Sequence, residues 1–212
     1  MKTALIVGAT GVVGKELVAL LCDNPAYQQV IVWVRRKPDF THPKLLVQQV
    51  DFDRLSQQNF PLVDEVFCTL GTTIKKAGSR ENFLKVDVQY PTEIATLAKN
   101  AGVPHFVFIS ALGANPNAAI FYSKAKGMVE ENIKALQFNL LQIVRPGLIV
   151  GERSDFRFGE KTVELLFKFL PRKILKAYHP MTGKQIAQVM MNKAQQTAQG
   201  VEIYTPQLEW NK

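Results

Sequence analysis

The order of hydrophobic runs predicts an α/β protein of three layers: a doubly wound parallel sheet between helices, with a small C-terminal helical extension. Three observations lead there. Apolar runs without polar alternation recur through the first 150 residues, as strands buried on both faces require. Stretches with helical spacing separate them, so each strand feeds a crossover to the next. A glycine-rich turn joins the first strand to the first helix.

Residues 3–7, Thr-Ala-Leu-Ile-Val, read as the first strand. Gly8 to Gly14 follows, then Lys15 to Cys22 with apolar residues at helical spacing. Val30–Val34 is rich in β-branched residues and reads as the second strand. Leu45–Val50 and Glu65–Leu70 supply the third and fourth. Arg80–Asn100 is a long helical pattern that Pro91 should kink or split. His105–Ser110 is the fifth strand, Phe121–Leu136 a helix, and Leu140–Val150 contains the sixth strand, stopped near Pro146-Gly147. Beyond residue 151 the sequence predicts helices at Lys161–Leu170 and Gly183–Ala198 and a strand at Val201–Tyr204. The expected organisation is one domain over 1–212, with its core in 1–150 and a small C-terminal extension in 151–212. That extension is too short for a large second domain.

Composition narrows the function classes. The chain has 212 residues, 47% hydrophobic and 21% charged, which suits a globular protein and argues against disorder. Two cysteines, Cys22 and Cys68, exclude a disulfide framework and a thiolate zinc site. His42, His105 and His179 lack metal-ligand spacing, so no metal is expected. No apolar run reaches the roughly 18 to 20 residues of a membrane span, and the N-terminus lacks the pattern of a signal peptide. The expectation is a reducing, cytoplasmic setting. The net charge of +8 is spread evenly along the chain. No aromatic-basic stripe accompanies it, so neither nucleic acid nor membrane is expected as a partner.

Gly8-Ala9-Thr10-Gly11-Val12-Val13-Gly14 carries the spacing GxxGxxG. The first glycine turns the chain sharply out of the strand. The second clears space for a pyrophosphate, and the third lets the helix pack on the strand. Helix N–H groups then face the phosphates. After the second strand, where a carboxylate would bind a ribose 2′-hydroxyl, stand Arg35 and Arg36. Guanidinium forks suit a 2′-phosphate, which predicts NADP(H) over NAD(H). Asp51 and Phe52 close the third strand, as candidate contacts for the adenine amino group and ring. Leu70-Gly71-Thr72-Thr73 closes the fourth, where a bare Gly71 would let ribose and phosphates lie close. Pro146 and Gly147 close the sixth, as a stiff backbone turn against the nicotinamide carboxamide.

Ser110 ends the fifth strand, Tyr122 comes twelve residues later and Lys126 four after that. Positions i and i+4 share a helix face, so Tyr122 and Lys126 can point into one cleft with Ser110 opposite. Tyr122 would exchange a proton with a carbonyl or alcohol oxygen as hydride moves. A nearby ammonium would favour its phenolate, and the Ser110 hydroxyl would hold the substrate oxygen.

Together these segments resemble the short-chain dehydrogenase/reductase superfamily over roughly residues 3–150. Within it the chain is most similar to the atypical branch of small NAD(P)H-binding proteins related to the Tat-interacting oxidoreductase-like protein. The likeness is carried by the glycine turn, Val34-Arg35-Arg36-Lys37, Leu70–Thr73, Phe83-Leu84-Lys85-Val86-Asp87, Phe121-Tyr122-Ser123-Lys124-Ala125-Lys126-Gly127 and Arg145-Pro146-Gly147. It implies a Rossmann-type fold, bound NADP(H), and Tyr122 with Lys126 as catalytic pair, Ser110 assisting. Lys126 would also touch the cofactor. Where the superfamily often has asparagine after the fourth strand, this register holds Asp87. Relatives often pair helices between subunits, which makes a homodimer the assembly the resemblance allows.

The expected function is an NADP(H)-dependent oxidoreductase acting on a small carbonyl or alcohol. The competing readings are a non-enzymatic NADP(H)-binding redox sensor or regulator, and a sugar-nucleotide epimerase-like enzyme.

Overall fold

Nonpolar residues on both sides of each central strand set the architecture. β1 (Lys2–Val7) presents Leu5 and Val7 to one face and Ala4 and Ile6 to the other, all with no exposed surface. The computed structural model describes residues 1–150, 177 and 179–210. The predicted helix at 161–170 lies outside the described residues.

After β1 come α1 (Val12–Asp23), β2 (Tyr27–Val34), β3 (Leu45–Gln49), a 3-10 turn at Phe52–Gln57 and β4 (Glu65–Cys68). α2 (Ile74–Ala77) and α3 (Arg80–Leu84) lead through a π-helical turn at Lys85–Gln89 into α4 (Tyr90–Asn100). β5 (His105–Ile109), α5 (Phe121–Lys134), β6 (Leu140–Val144) and the two-residue β7 (Ile149–Val150) follow. The C-terminal segment supplies β8 (Met181–Thr182), α6 (Gly183–Ala194), β9 (Gly200–Tyr204) and α7 (Pro206–Glu209).

Seven strands form one sheet in the order β3-β2-β1-β4-β5-β6-β9, and every adjacent pair is parallel. The order reverses between β1 and β4, so a crevice opens beyond their carboxyl ends. Register keeps those ends level: Val7 pairs with Trp33 and Cys68, Cys68 with Phe108, and Ile109 with Val144. On one face Leu5, Val66, Phe106 and Phe108 pack with α4 and α5 residues such as Ile94, Ala98, Val129 and Ile133. On the other, Ile6, Val32, Phe67 and Val107 pack with Leu17, Leu21, Ile186 and Met190 of α1 and α6. The C-terminal segment thus adds a strand to the sheet and a helix to one layer.

Pro91 splits the long helical pattern as expected. The Tyr90 N–H bonds to Lys85 O, five residues back, and Pro91 cannot donate to the turn before it. Close approach at Gly183 seats α6 on α1, because a Cβ there would lie 2.2 Å from Val12 O.

A polar network crosses the opposite, amino-terminal edge of the sheet. Glu65, 1% exposed, accepts hydrogen bonds from Tyr27 Oη, from Lys2 Nζ at 3.0 Å and from His105 Nδ1 at 3.1 Å. His105 Nε2 meets Gln142 Oε1 at 3.2 Å, and Gln142 Nε2 donates to Glu202 at 2.8 Å and to Lys193 O at 3.2 Å. Burial pushes the Glu65 carboxyl up, but the bonds from His105 and Tyr27 and the charge of Lys2 hold it below the usual carboxylate range. Both thiols are buried and unpaired, and desolvation raises Cys22 to about 11 and Cys68 to about 12.

Candidate active site

The glycine turn packs backbone on backbone. Gly8 has φ +93°, and a Cβ there would sit 2.6 Å from the Thr69 carbonyl carbon. Gly11 donates its N–H to Gly8 O at 2.9 Å. A Cβ on Gly14 would fall 2.1 Å from that same oxygen. Thr69 is tied down in turn, since its N–H and Oγ1 both donate to Val7 O at 2.7 and 3.0 Å. The helix end this creates is open to an anion. α1 has no side-chain cap and no acidic residue in its first turn, whereas Thr73, Ser79 and Thr182 cap α2, α3 and α6.

One cleft collects most of the expected residues. Gly11, Val12 and Val13 line one side, and Leu70, Gly71 and Thr72 the floor after β4. Ser110, Tyr122 and Lys126 line it as well, with Asp87 and Ile149. Gly8 and Gly14 shape the turn from beneath, and Thr10 is exposed on it. Gly127 brings the middle of α5 against the 115–116 loop, as a Cβ there would lie 2.1 Å from Pro116 N. That contact fixes the helix carrying Tyr122 and Lys126.

A second depression lies beyond β2 and β3. Arg35, Asp51 and Phe52 line it with Gln49, Asp53 and Tyr90. Asp51 already accepts from Asp53 N at 2.9 Å, capping the 3-10 turn. Phe52 packs on Tyr90 with ring centroids 5.6 Å apart. Tyr90 donates to Asp53, and Lys85 pairs with that carboxylate at 2.7 Å. Lys85 above all, then Tyr90, holds Asp53 below its ordinary value.

Four expected residues fall elsewhere. Arg36 is exposed and lines neither hollow. Thr73 spends its hydroxyl on the Lys76 N–H at 3.1 Å. Pro146 gives its carbonyl to Leu112 N at 2.9 Å, and Gly147 N donates to Gln207 Oε1 at 3.1 Å. The Pro146-Gly147 turn therefore braces the 110–112 loop and α7.

The inner partners of the trio were not anticipated. Lys126 is buried and pairs with Asp87 Oδ1 at 2.7 Å, while Asp87 Oδ2 accepts from Thr72 N at 2.8 Å. Asp87 sits on the π-helical turn, which aims it at Lys126 and at the loop after β4. Ser110 donates to Glu130 Oε1, and Arg145 holds that carboxylate through Nε at 2.9 Å and through Nη2. The Glu130 bond keeps the Arg145 guanidinium above its ordinary value. Glu130 was findable: it lies four residues after Lys126, as Lys126 lies four after Tyr122, on one helix stripe. Tyr122 itself packs on Phe83 with the rings tilted and their centroids 5.9 Å apart.

A switch-point crevice with a glycine turn and an open helix end is the arrangement of a dinucleotide-binding α/β protein. Residues 8–165 match the NAD(P)H-binding family, and the chain belongs to that family. Protein FMP52-1, mitochondrial, of Scheffersomyces stipitis is 32% identical, over 92% of this chain and 89% of its own. Protein HTATIP2 of Rattus norvegicus is 34% identical, over 80% of this chain and 72% of its own. Among solved structures, human epimerase family protein SDR39U1 (isoform 2) with NADPH superposes with a TM-score of 0.65 at 15% identity. The superposition covers 96% of this chain and 74% of that one, a likeness of fold. The chain is thus an NAD(P)H-binding protein by family, with the fold of an epimerase-family protein.

Proposed function

We propose that the protein is an NADP(H)-dependent oxidoreductase that interconverts a small carbonyl and its alcohol. One observation carries the reading: Ser110, Tyr122 and Lys126 line the same cleft as the open end of α1 and the Leu70–Thr72 loop. The residues present fit a dinucleotide, because close packing at Gly8 and Gly14 shapes a turn that leads into the uncapped end of α1, with no acidic side chain in its first turn to repel a phosphate. The bound coenzyme supplies or accepts the hydride. Helix N–H groups of Val12 and Val13 would hold its phosphates, and Gly71 and Thr72 its central ribose. Arg35 would pair with the 2′-phosphate, beside Asp51 and Phe52 at the adenine. Tyr122 would carry the proton to or from the substrate oxygen. Lys126, fixed by Asp87, would orient the nearby ribose and favour the phenolate.

Tyr122→Phe should cut NADPH oxidation across a carbonyl panel by several orders of magnitude while leaving NADPH binding within twofold. Full activity in that variant would overturn the assignment. The sensor reading draws support from the same site, since Lys126 and Ser110 are both engaged by carboxylates. It is favoured if no carbonyl oxidises NADPH and coenzyme binding alone changes the protein's partner affinity.

Among the described residues no helix is long and apolar enough to cross a membrane. Several fungal relatives are named mitochondrial, as in Debaryomyces hansenii. The cytoplasm expected from sequence therefore widens to a reducing compartment, which unpaired Cys22 and Cys68 suit.

A further inference from the structure

The hydroxyl of Ser110 points its hydrogen away from any incoming carbonyl. It donates to Glu130, which is 1% exposed and gripped by Arg145 through two nitrogens. A carboxylate oxygen accepts only, so the one Ser110 proton is committed to Glu130. Charge-assisted hydrogen bonds of this kind are roughly twice as strong as neutral ones. A ketone oxygen that claimed the proton would leave a buried carboxylate short of a donor. What Ser110 offers the cleft is a lone pair.

We propose that Ser110, set by Glu130 and Arg145, is a specificity-determining hydrogen-bond acceptor that selects substrates with a hydroxyl beside the reacting carbon: α-hydroxy carbonyls and vicinal diols. The proposal rests on the oxidoreductase reading for what occupies the cleft. Tyr122 serves the reacting oxygen, and the neighbouring hydroxyl donates to Ser110 Oγ. In oxidation, the reacting C–H leaves as hydride to NADP⁺ and the O–H proton goes to Tyr122, then to solvent. The products are a hydroxy ketone, NADPH and one proton. The second hydroxyl is unchanged throughout. A plain ketone has no hydrogen to give Ser110 and sets its substituent against a lone pair. Glu130 and Arg145 are positioning residues, acting only through Ser110.

The test uses the full chain saturated with NADP⁺, in which 2-butanone cannot turn over and the hydroxy ketone is compared before its oxidation to the diketone, followed as NADPH, has begun. Saturation-transfer NMR compares 3-hydroxy-2-butanone with 2-butanone. The wild type should prefer the hydroxy ketone at least about tenfold, the loss expected for one unmatched polar group. Glu130→Leu removes the acceptor and frees the Ser110 hydrogen to turn toward the cleft, so the preference should vanish or invert. Ser110→Ala keeps the Glu130–Arg145 pair and should also lose it, which covers a Glu130→Leu variant that fails to fold. Equal binding of the two ketones, binding of neither, or a preference that survives in Ser110→Ala overturns the proposal. Oxidation of NADPH by 2-butanone without any preference would sink this proposal and keep the oxidoreductase reading. A preference in binding with no NADPH oxidation by either ketone would do the reverse.

Discussion

At Gly14 a single added carbon has nowhere to go, since it would lie 2.1 Å from Gly8 O. Gly14→Ala must push α1 off β1, and overpacking of this kind costs about 1–3 kcal/mol. Urea unfolding should show that loss as a lower midpoint, and calorimetry should show weaker NADPH binding. Arg35 carries a different prediction. Arg35→Ala should weaken NADPH about tenfold, the worth of about 1.4 kcal/mol, and leave NADH unchanged. Equal losses for both coenzymes would remove Arg35 from the 2′-phosphate. The residues legible in the sequence share a property: Gly8, Gly14, Ser110, Tyr122 and Lys126 hold places that chain geometry fixes locally, at strand ends or one helix turn apart. The partners of Asp87 and Arg145 were hidden because a buried ion pair takes its meaning from both ends, and Glu130 showed only as a position on the Tyr122–Lys126 stripe. Those partners lie 39 residues along for Asp87 with Lys126, and 20 for Glu130 with Ser110.

Elements were readable where hydrophobic period decides them and blurred where tertiary contact does. β1, β2 and β5 appeared as apolar runs because both faces are covered. α1 begins at Val12, ahead of the expected Lys15, because Val12-Val13-Gly14 is a poor helix start in isolation and packing on Gly8 makes it one. Pro91 was legible as a break, but the wide turn before it was not. Pro91→Ala would restore an N–H able to reach the Asp87 carbonyl, tighten the turn and rotate Asp87 off Lys126. The variant should melt no lower than wild type and yet bind NADPH more weakly. Unchanged affinity would show that the turn's width has no bearing on the site.

For the whole molecule, Glu65 at the amino-terminal edge of the sheet, away from the site, contributes to acid sensitivity. The folded state holds the Glu65 carboxyl below its unfolded value of 4.5. The stability this adds is complete above that pH and drains away as pH falls through the lowered folded value. Thermal melts between pH 6 and 3 should fall on that limb. Glu65→Gln should melt lower at pH 7 and show a shallower acid limb; an unchanged limb would place the acid-sensitive group elsewhere. Sheet order was the least legible feature at this scale. The strand at 200–204 could be read from its β-branched residues, but its seat beside β6 depends on Gln142 meeting Glu202 and on α6 reaching α1.

That last contact ties distant parts of the chain into one thermodynamic unit. Val12 opens the helix end facing the nucleotide, and its carbonyl lies where Gly183 has no side chain. Ligand that steadies residue 12 therefore steadies the helix leading to the outermost strand. Deuterium uptake at amides 201–204 should slow when coenzyme is added, although three strands separate those amides from β1 and they touch none of it.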